Sequence, residues 1–161
     1  MTHRLLCIDP GKGTGVVWMS YRDTSAPWIE RGENLELDPH EMYMQVCEWA
    51  HTTWHQMDAY DRRLVICESW IPYDTDFSAD PNYSCQLIGA VKVACTQNQV
   101  ELRMQPPSYR NSIKAEVYRR SPYWLTGTAD HHRQAARHGL AYLQEELKHT
   151  PTMTALHPRK R

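Results

Sequence analysis

Leu5-Leu6-Cys7-Ile8-Asp9-Pro10-Gly11-Lys12-Gly13-Thr14-Gly15, running on into Val16-Val17-Trp18-Met19, is the stretch from which the rest of this chain can be read. An apolar strand ends in an acid, turns through glycines at 11, 13 and 15, and starts a second apolar strand. The glycines predict a tight, hairpin-like turn. A carboxylate at the end of a buried strand is costly unless a positive group meets it, so Asp9 marks a metal or phosphate site. The competing reading, an Asp that merely shapes an Asp-Pro-Gly turn, is common in isolation.

Arg63-Leu64-Val65-Ile66-Cys67-Glu68-Ser69 repeats the pattern of an apolar strand closed by an acid. Alternate residues of a strand share a face, so Leu5, Cys7 and Asp9 line one side of the first strand and Leu64, Ile66 and Glu68 one side of the second. If the two are parallel neighbours, both acids reach the same carboxyl edge of the sheet, where α/β folds place their sites. Two such carboxylates repel unless a divalent cation lies between them. Oxygen ligands with room for water suit Mg²⁺ or Mn²⁺, and a pair of these ions about 4 Å apart is the arrangement that activates water for phosphodiester cleavage.

The remaining elements follow by pattern. A third strand is predicted over Trp28 to Leu37, and the start signal Asp38-Pro39 precedes a helix carrying Met42, Val46, Trp49 and Ala50 towards Met57. Leu87, Ile88, Val91, Ala94 and Cys95 mark a second helix. Val100 to Gln105 reads as a strand stopped by Pro106-Pro107. Ser108 to Arg120 reads as a basic helix, and Asp130 to His149 as a last helix with Ala136, Leu140, Leu143 and Leu147 on one stripe. The order of three strands, helix, strand, helix, strand, helices predicts an α/β fold, a mixed five-stranded sheet flanked by helices.

At 161 residues the chain is one domain, assigned to residues 1–150, with 151–161 as a basic tail ending Arg159-Lys160-Arg161. Basic and acidic residues nearly balance (18 against 19), so a surface for a polyanion must come from local clustering. The stretch with Arg103, Arg110, Lys114, Arg119 and Arg120 is the expected phosphate-tracking face. Five cysteines without paired short spacing predict a reduced, cytoplasmic protein. No apolar run is long enough for a bilayer, and the N-terminus lacks the layout of a secretion signal.

A third contributor to the site is expected from Asp130-His131-His132-Arg133-Gln134-Ala135-Ala136-Arg137-His138. Helical spacing groups Asp130, Gln134, Arg137 and His138, with His131 beside them. Asp130 at the helix start is held ionised by the dipole, which favours metal binding, although an Asp there serves equally as an N-cap. His131 is a metal ligand or positions water. Lys12 can approach a phosphate. Trp70 and Tyr73 can stack on an unpaired base, and Arg137 can face phosphate.

Taken together, the Ile-Asp-Pro-Gly start with its Gly-Thr-Gly turn, the Cys-Glu-Ser strand end, Leu87-Ile88-Gly89-Ala90, the strand end Gln105-Pro106 and the His-x-x-x-Ala-x-Arg-His helix resemble RuvC-type Holliday-junction resolvases, in particular short bacteriophage-like versions. The resemblance runs from about Leu5 to Leu143. It implies a ribonuclease-H-like fold and a Mg²⁺-dependent endonuclease acting on branched DNA, with Asp9 and Glu68 matching the first two family acids. The family has a further acid where this chain carries Gln134, immediately before Ala135. Asp130, one turn earlier, is the expected replacement, with His131 as its companion. Symmetric cutting of two strands implies a homodimer, for which the helix of Leu87, Ile88 and Val91 is the candidate interface. Two other readings stand beside this one: a junction-binding protein that no longer cuts, and a nuclease acting on RNA–DNA hybrids. A sugar-kinase or actin-like ATPase would need two such domains.

Overall fold

The computed structural model describes residues 1–54, 62–69, 81–127 and 130–158. Strands β1 (His3–Asp9), β2 (Thr14–Arg22), β3 (Ser25–Leu35), β4 (Arg63–Glu68) and β5 (Glu101–Gln105) form a single sheet in the order β3-β2-β1-β4-β5. β1 and β2 are antiparallel, as are β2 and β3, whereas β4 runs parallel to both β1 and β5. Among the described residues, helices α1 (Pro39–Trp54), α2 (Pro81–Gln97), α3 (Ala115–Arg120), α4 (His131–Ala141) and α5 (Thr150–Leu156) complete the fold. This is the mixed five-stranded α/β architecture expected from the strand and helix pattern.

Alternation along the strands divides the interior in two. Leu6, Ile8, Val65 and Cys67 point to the layer of α1 and α2, where they meet Met42, Val46, Trp49, Leu87, Val91 and Cys95. Leu5, Cys7, Leu64 and Ile66 point the other way, onto Ala135, Ala136, Leu140, Ala141 and Leu143. In β1 and β4, Leu5 is level with Leu64 and Ile8 with Cys67, so the next step in each strand is an acid: Asp9 beside Glu68. The parallel pairing therefore carries both carboxylates to the same sheet edge, on the α4 side.

Three elements differ from the sequence pattern. The basic stretch is not one helix: a 3₁₀ turn at Pro107–Ser112 is followed by α3, and between them Ile113 is driven into the core at 1% exposure. The last helix is also interrupted. A π-helical turn, Tyr142–Glu146, follows α4, and the chain closes with Lys148 at positive φ and the His149 N–H returning to the Leu143 carbonyl at 2.8 Å. Beyond it α5 occupies part of the segment read as a tail, with Thr152 and Leu156 buried. The His149 ring anchors this end, Nε2 donating to the Arg22 carbonyl at 2.8 Å while Nδ1 faces Thr152 Oγ1 at 2.6 Å. Leu87, Ile88 and Val91, offered above as an interface, are core residues packed between the sheet and α1; the outward face of α2 is formed by Cys85, Gln86, Lys92 and Val93.

Small residues set how closely α4 lies on the sheet. A Cβ added at Gly139 would come within 2.6 Å of Cys7 Sγ, and one added at Gly15 within 2.1 Å of the His131 carbonyl oxygen. The second clash is with backbone, which has no rotamer by which to yield. Gly15→Ala is therefore expected to lower the unfolding free energy by roughly 1–3 kcal/mol, the usual cost of overpacking, in urea denaturation followed by circular dichroism. Gly89, inside α2 with nothing within 4 Å of an added Cβ, is the contrasting position. Gly89→Ala is expected to stabilise by about 0.5–1 kcal/mol in the same measurement.

Candidate functional site

Asp9 ends β1 opposite Gly15 and is buried. The first residue of α4 comes down onto it: His131 Nδ1 lies 3.0 Å from Asp9 Oδ2. The glycine turn makes this approach possible. A Cβ at Gly13 would sit 3.0 Å from His131 Cδ2 and 3.2 Å from its Nε2, and Gly15 meets the backbone of the same residue. Neither glycine has positive φ, so both are required for room rather than for backbone conformation. Thr14 closes the loop by donating its hydroxyl to the Gly11 carbonyl at 2.7 Å. The hydrogen bond to Asp9 raises the His131 pKa above the ordinary imidazole value, against an opposing contribution from burial.

Glu68 lies on the neighbouring strand in a basic pocket. The Arg110 guanidinium, from the 3₁₀ turn, donates to Glu68 Oε2. His138 Nε2 donates to the same oxygen at 2.6 Å. His138 is fully buried, and its Nδ1 faces Gln105 Oε1 at 2.7 Å. Asp9 and Glu68 thus each give one oxygen to protein partners. Their other oxygens, Oδ1 and Oε1, have no partner among the described residues.

Asp130 does not join this group. It is exposed, its carboxylate pairs with Arg133 at 3.4 Å, and it makes no side-chain cap to α4. The cap comes from another element: Asn34 of β3 accepts the His132 N–H at Oδ1, 2.9 Å away, and its amide donates to His132 Nδ1. Burial lowers the His132 pKa. Arg133 pins the preceding loop, donating to the Leu125 and Gly127 carbonyls and stacking 4.4 Å from the Trp124 ring. Gln134 is half-buried on α4, at the position where the resemblance leads one to expect an acid.

The cationic candidates divide. Arg110 is committed to Glu68, and Arg137 donates to the Ile113 carbonyl through Nε at 3.0 Å and Nη2 at 2.7 Å, with burial lowering its pKa. Lys12, Lys114, Arg119 and Arg120 are exposed, Arg120 in an i,i+4 pair with Glu116. Trp70 and Tyr73 lie outside the described residues. His138 and Gln105 are the members of the site that sequence reasoning missed. Helical spacing grouped His138 with Asp130, Gln134 and Arg137 without giving it a role, and no local signal distinguishes a buried histidine from an exposed one. The strand-end position of Gln105, level with Glu68, was the available clue.

Among the described residues no three His, Cys, Asp or Glu side chains converge as a metal cluster. The donor set nevertheless fits a hard cation. Two carboxylates on adjacent strand ends each leave an oxygen without a protein partner, beside an imidazole. Among the described residues, Gln134 and the outward Asp130 add no third carboxylate to this pair.

The mixed five-stranded sheet in the order β3-β2-β1-β4-β5, flanked by helices, is the ribonuclease-H-like fold expected from the sequence. Comparison with solved structures agrees. Thermus thermophilus RuvC superposes with a TM-score of 0.67 at 17% identity, over 92% of this chain and 98% of that one. T. thermophilus RuvC in complex with a Holliday junction substrate also gives 0.67, at 16% identity over 91% and 96% of the two chains. The yeast mitochondrial Holliday junction resolvase Ydc2 gives 0.50 at 15% identity, over 94% and 82%. No protein-family model and no curated sequence matches the chain. The likeness is one of fold: the chain shares the mixed five-stranded architecture of the RuvC structures.

Asn34 holds the helix start that delivers His131. Asn34→Ala is expected to cost about 1–3 kcal/mol of unfolding free energy, because the His132 N–H then loses its acceptor in a partly buried place. Thermal or urea denaturation measures it, and an unchanged midpoint would contradict the capping role.

Proposed function

We propose that the chain is a divalent-metal-dependent endonuclease that cuts branched DNA, in the manner of a Holliday-junction resolvase. The observation that carries this reading is the Asp9–Glu68 pair, brought level by β1 and β4 with one oxygen of each uncommitted. The RuvC-like fold, and the Holliday junction substrate bound to one of its structural neighbours, support the choice of DNA.

Asp9 and Glu68, with His131 beside Asp9, would hold Mg²⁺ or Mn²⁺. When bound, such an ion activates water and stabilises charge at the cleaved phosphodiester. His131 would fix the orientation of Asp9, and 44% of its side chain is accessible. The exposed Lys12, Lys114, Arg119 and Arg120 would follow phosphates without reading bases, and Arg110, which donates to Glu68, would meet an incoming strand. Trp70 and Tyr73 would stack on unpaired bases at the branch. Two symmetric cuts call for a second copy of the chain, for which the outward face of α2 is available.

A second reading, a protein that binds junctions without cutting them, is favoured by Gln134 and by the hold of Arg110 on Glu68. Matched four-way, three-way, flap and RNA–DNA hybrid substrates separate the possibilities. Cutting of junctions in Mg²⁺ or Mn²⁺, with intact binding in Ca²⁺, is the expected result. Tight binding without cutting in any ion supports the second reading, and cutting confined to the hybrid overturns the assignment to branched DNA.

Asp9→Asn and Glu68→Gln are each expected to lower the cleavage rate by about 10²–10³-fold, as when a charge-stabilising group is removed, while junction binding in Ca²⁺ survives. Single-turnover cleavage and gel shift measure the two effects. For the phosphate contacts, Lys114→Ala combined with Arg119→Ala is expected to reduce the slope of log K against log salt by about 2, without change in cut position.

A further inference from the structure

His131 and His138 lie seven residues apart on α4, about two helical turns, and each reaches one of the two strand-end acids: His131 to Asp9 and His138 to Glu68. The two histidines are otherwise unlike. His131 is partly exposed, whereas His138 is at 0% exposure and Gln105, which faces its other nitrogen, at 1%. An ionised carboxylate only accepts, so His138 Nε2 is the donor to Glu68.

We propose that His138, tied in place by Gln105, is the positioning residue for Glu68: it holds Oε2 on the α4 side so that Oε1 is presented to a cation. This deepens the nuclease reading and rests on it. Arg110 also donates to Oε2, but on a half-buried side chain that an incoming phosphate can draw away. His138 has no such freedom. Its ring is enclosed, and the register of β4 and β5 sets Gln105 directly beside Glu68, so the acid, the ring and the amide form a fixed row. The amide carries a sign of this duty. Gln105 Nε2 is buried without a partner among the described residues, and turning the amide over would only exchange which of its atoms is left over. The side chain serves the imidazole at the expense of its own hydrogen bonding. Partners of this kind around a liganding group govern how well it binds its ion.

The test is Mn²⁺ binding to the full-length, DNA-free protein, by electron paramagnetic resonance or calorimetry, beside single-turnover cleavage and thermal melts. His138→Leu fills the space but removes the donor, and is expected to weaken Mn²⁺ binding about 10- to 100-fold. The Mn²⁺ concentration for half-maximal cleavage should rise in parallel. His138→Gln returns an N–H near the position of Nε2 and is expected to recover most of the affinity. Gln105→Met unties Nδ1 but keeps the ring, and is expected to fall between the two. It carries the test alone should His138→Leu not fold. Unchanged Mn²⁺ affinity in His138→Leu or Gln105→Met, beside a parent chain that does bind, overturns the positioning role and leaves the nuclease reading standing. Equal losses of affinity in His138→Leu and His138→Gln, tracking their melting temperatures, overturn it as well. A parent chain that takes up no Mn²⁺ overturns both readings.

Discussion

Everything at the sheet edge depends on how closely α4 is allowed to approach β1 and β2. Gly15 and Gly139 remove the side chains that would hold the helix off, and Ala135, Ala136 and Ala141 keep the contact shallow. Only at this distance can the first residue of the helix touch Asp9 while a residue two turns later touches Glu68. Asn34 and Arg133 then secure the helix start from the outside, one through the backbone of His132 and the other through the carbonyls of the preceding loop. A local packing constraint thereby becomes a constraint on the geometry of two carboxylates.

The acids themselves were legible from sequence because strand alternation is a strong rule. Leu5, Cys7 and Asp9, like Leu64, Ile66 and Glu68, take the same face in the structure as in the pattern, and the parallel pairing of β1 with β4 makes the two ends level. The glycine turn was legible as a turn, but the purpose of its glycines was not. Gly13 and Gly15 leave room for a histidine more than a hundred residues further along the chain, and no local rule carries that information.

Residues placed by helical spacing fared less evenly. Asp130 was grouped with the site because it lies one turn before Gln134, yet α4 begins at His131 and leaves Asp130 on the exposed entry, paired with Arg133. His138 shared its predicted face with Arg137, but the tight seating of the helix buries the first against Glu68 and turns the second to the Ile113 carbonyl. The basic stretch broke into a 3₁₀ turn and α3 because Ile113 is taken into the core, an apolar demand that outweighs continuity of a short helix. In each case long-range packing overrode a local periodicity.

The division of the interior into two separate apolar layers makes the site unusually sensitive to length. Since neighbouring residues of β1 face opposite layers, a single inserted or deleted residue between His3 and Asp9 would turn the whole strand over. The acid would then be thrust into the layer of α1 and α2, among Met42, Val46 and Leu87, and an aliphatic side chain would face His131. Substitution within β1 can be graded, methyl by methyl; a change in its count cannot. The spacing between its N-terminal anchor, where the His3 ring accepts the Arg62 N–H, and its acidic end is therefore a fixed length in this fold.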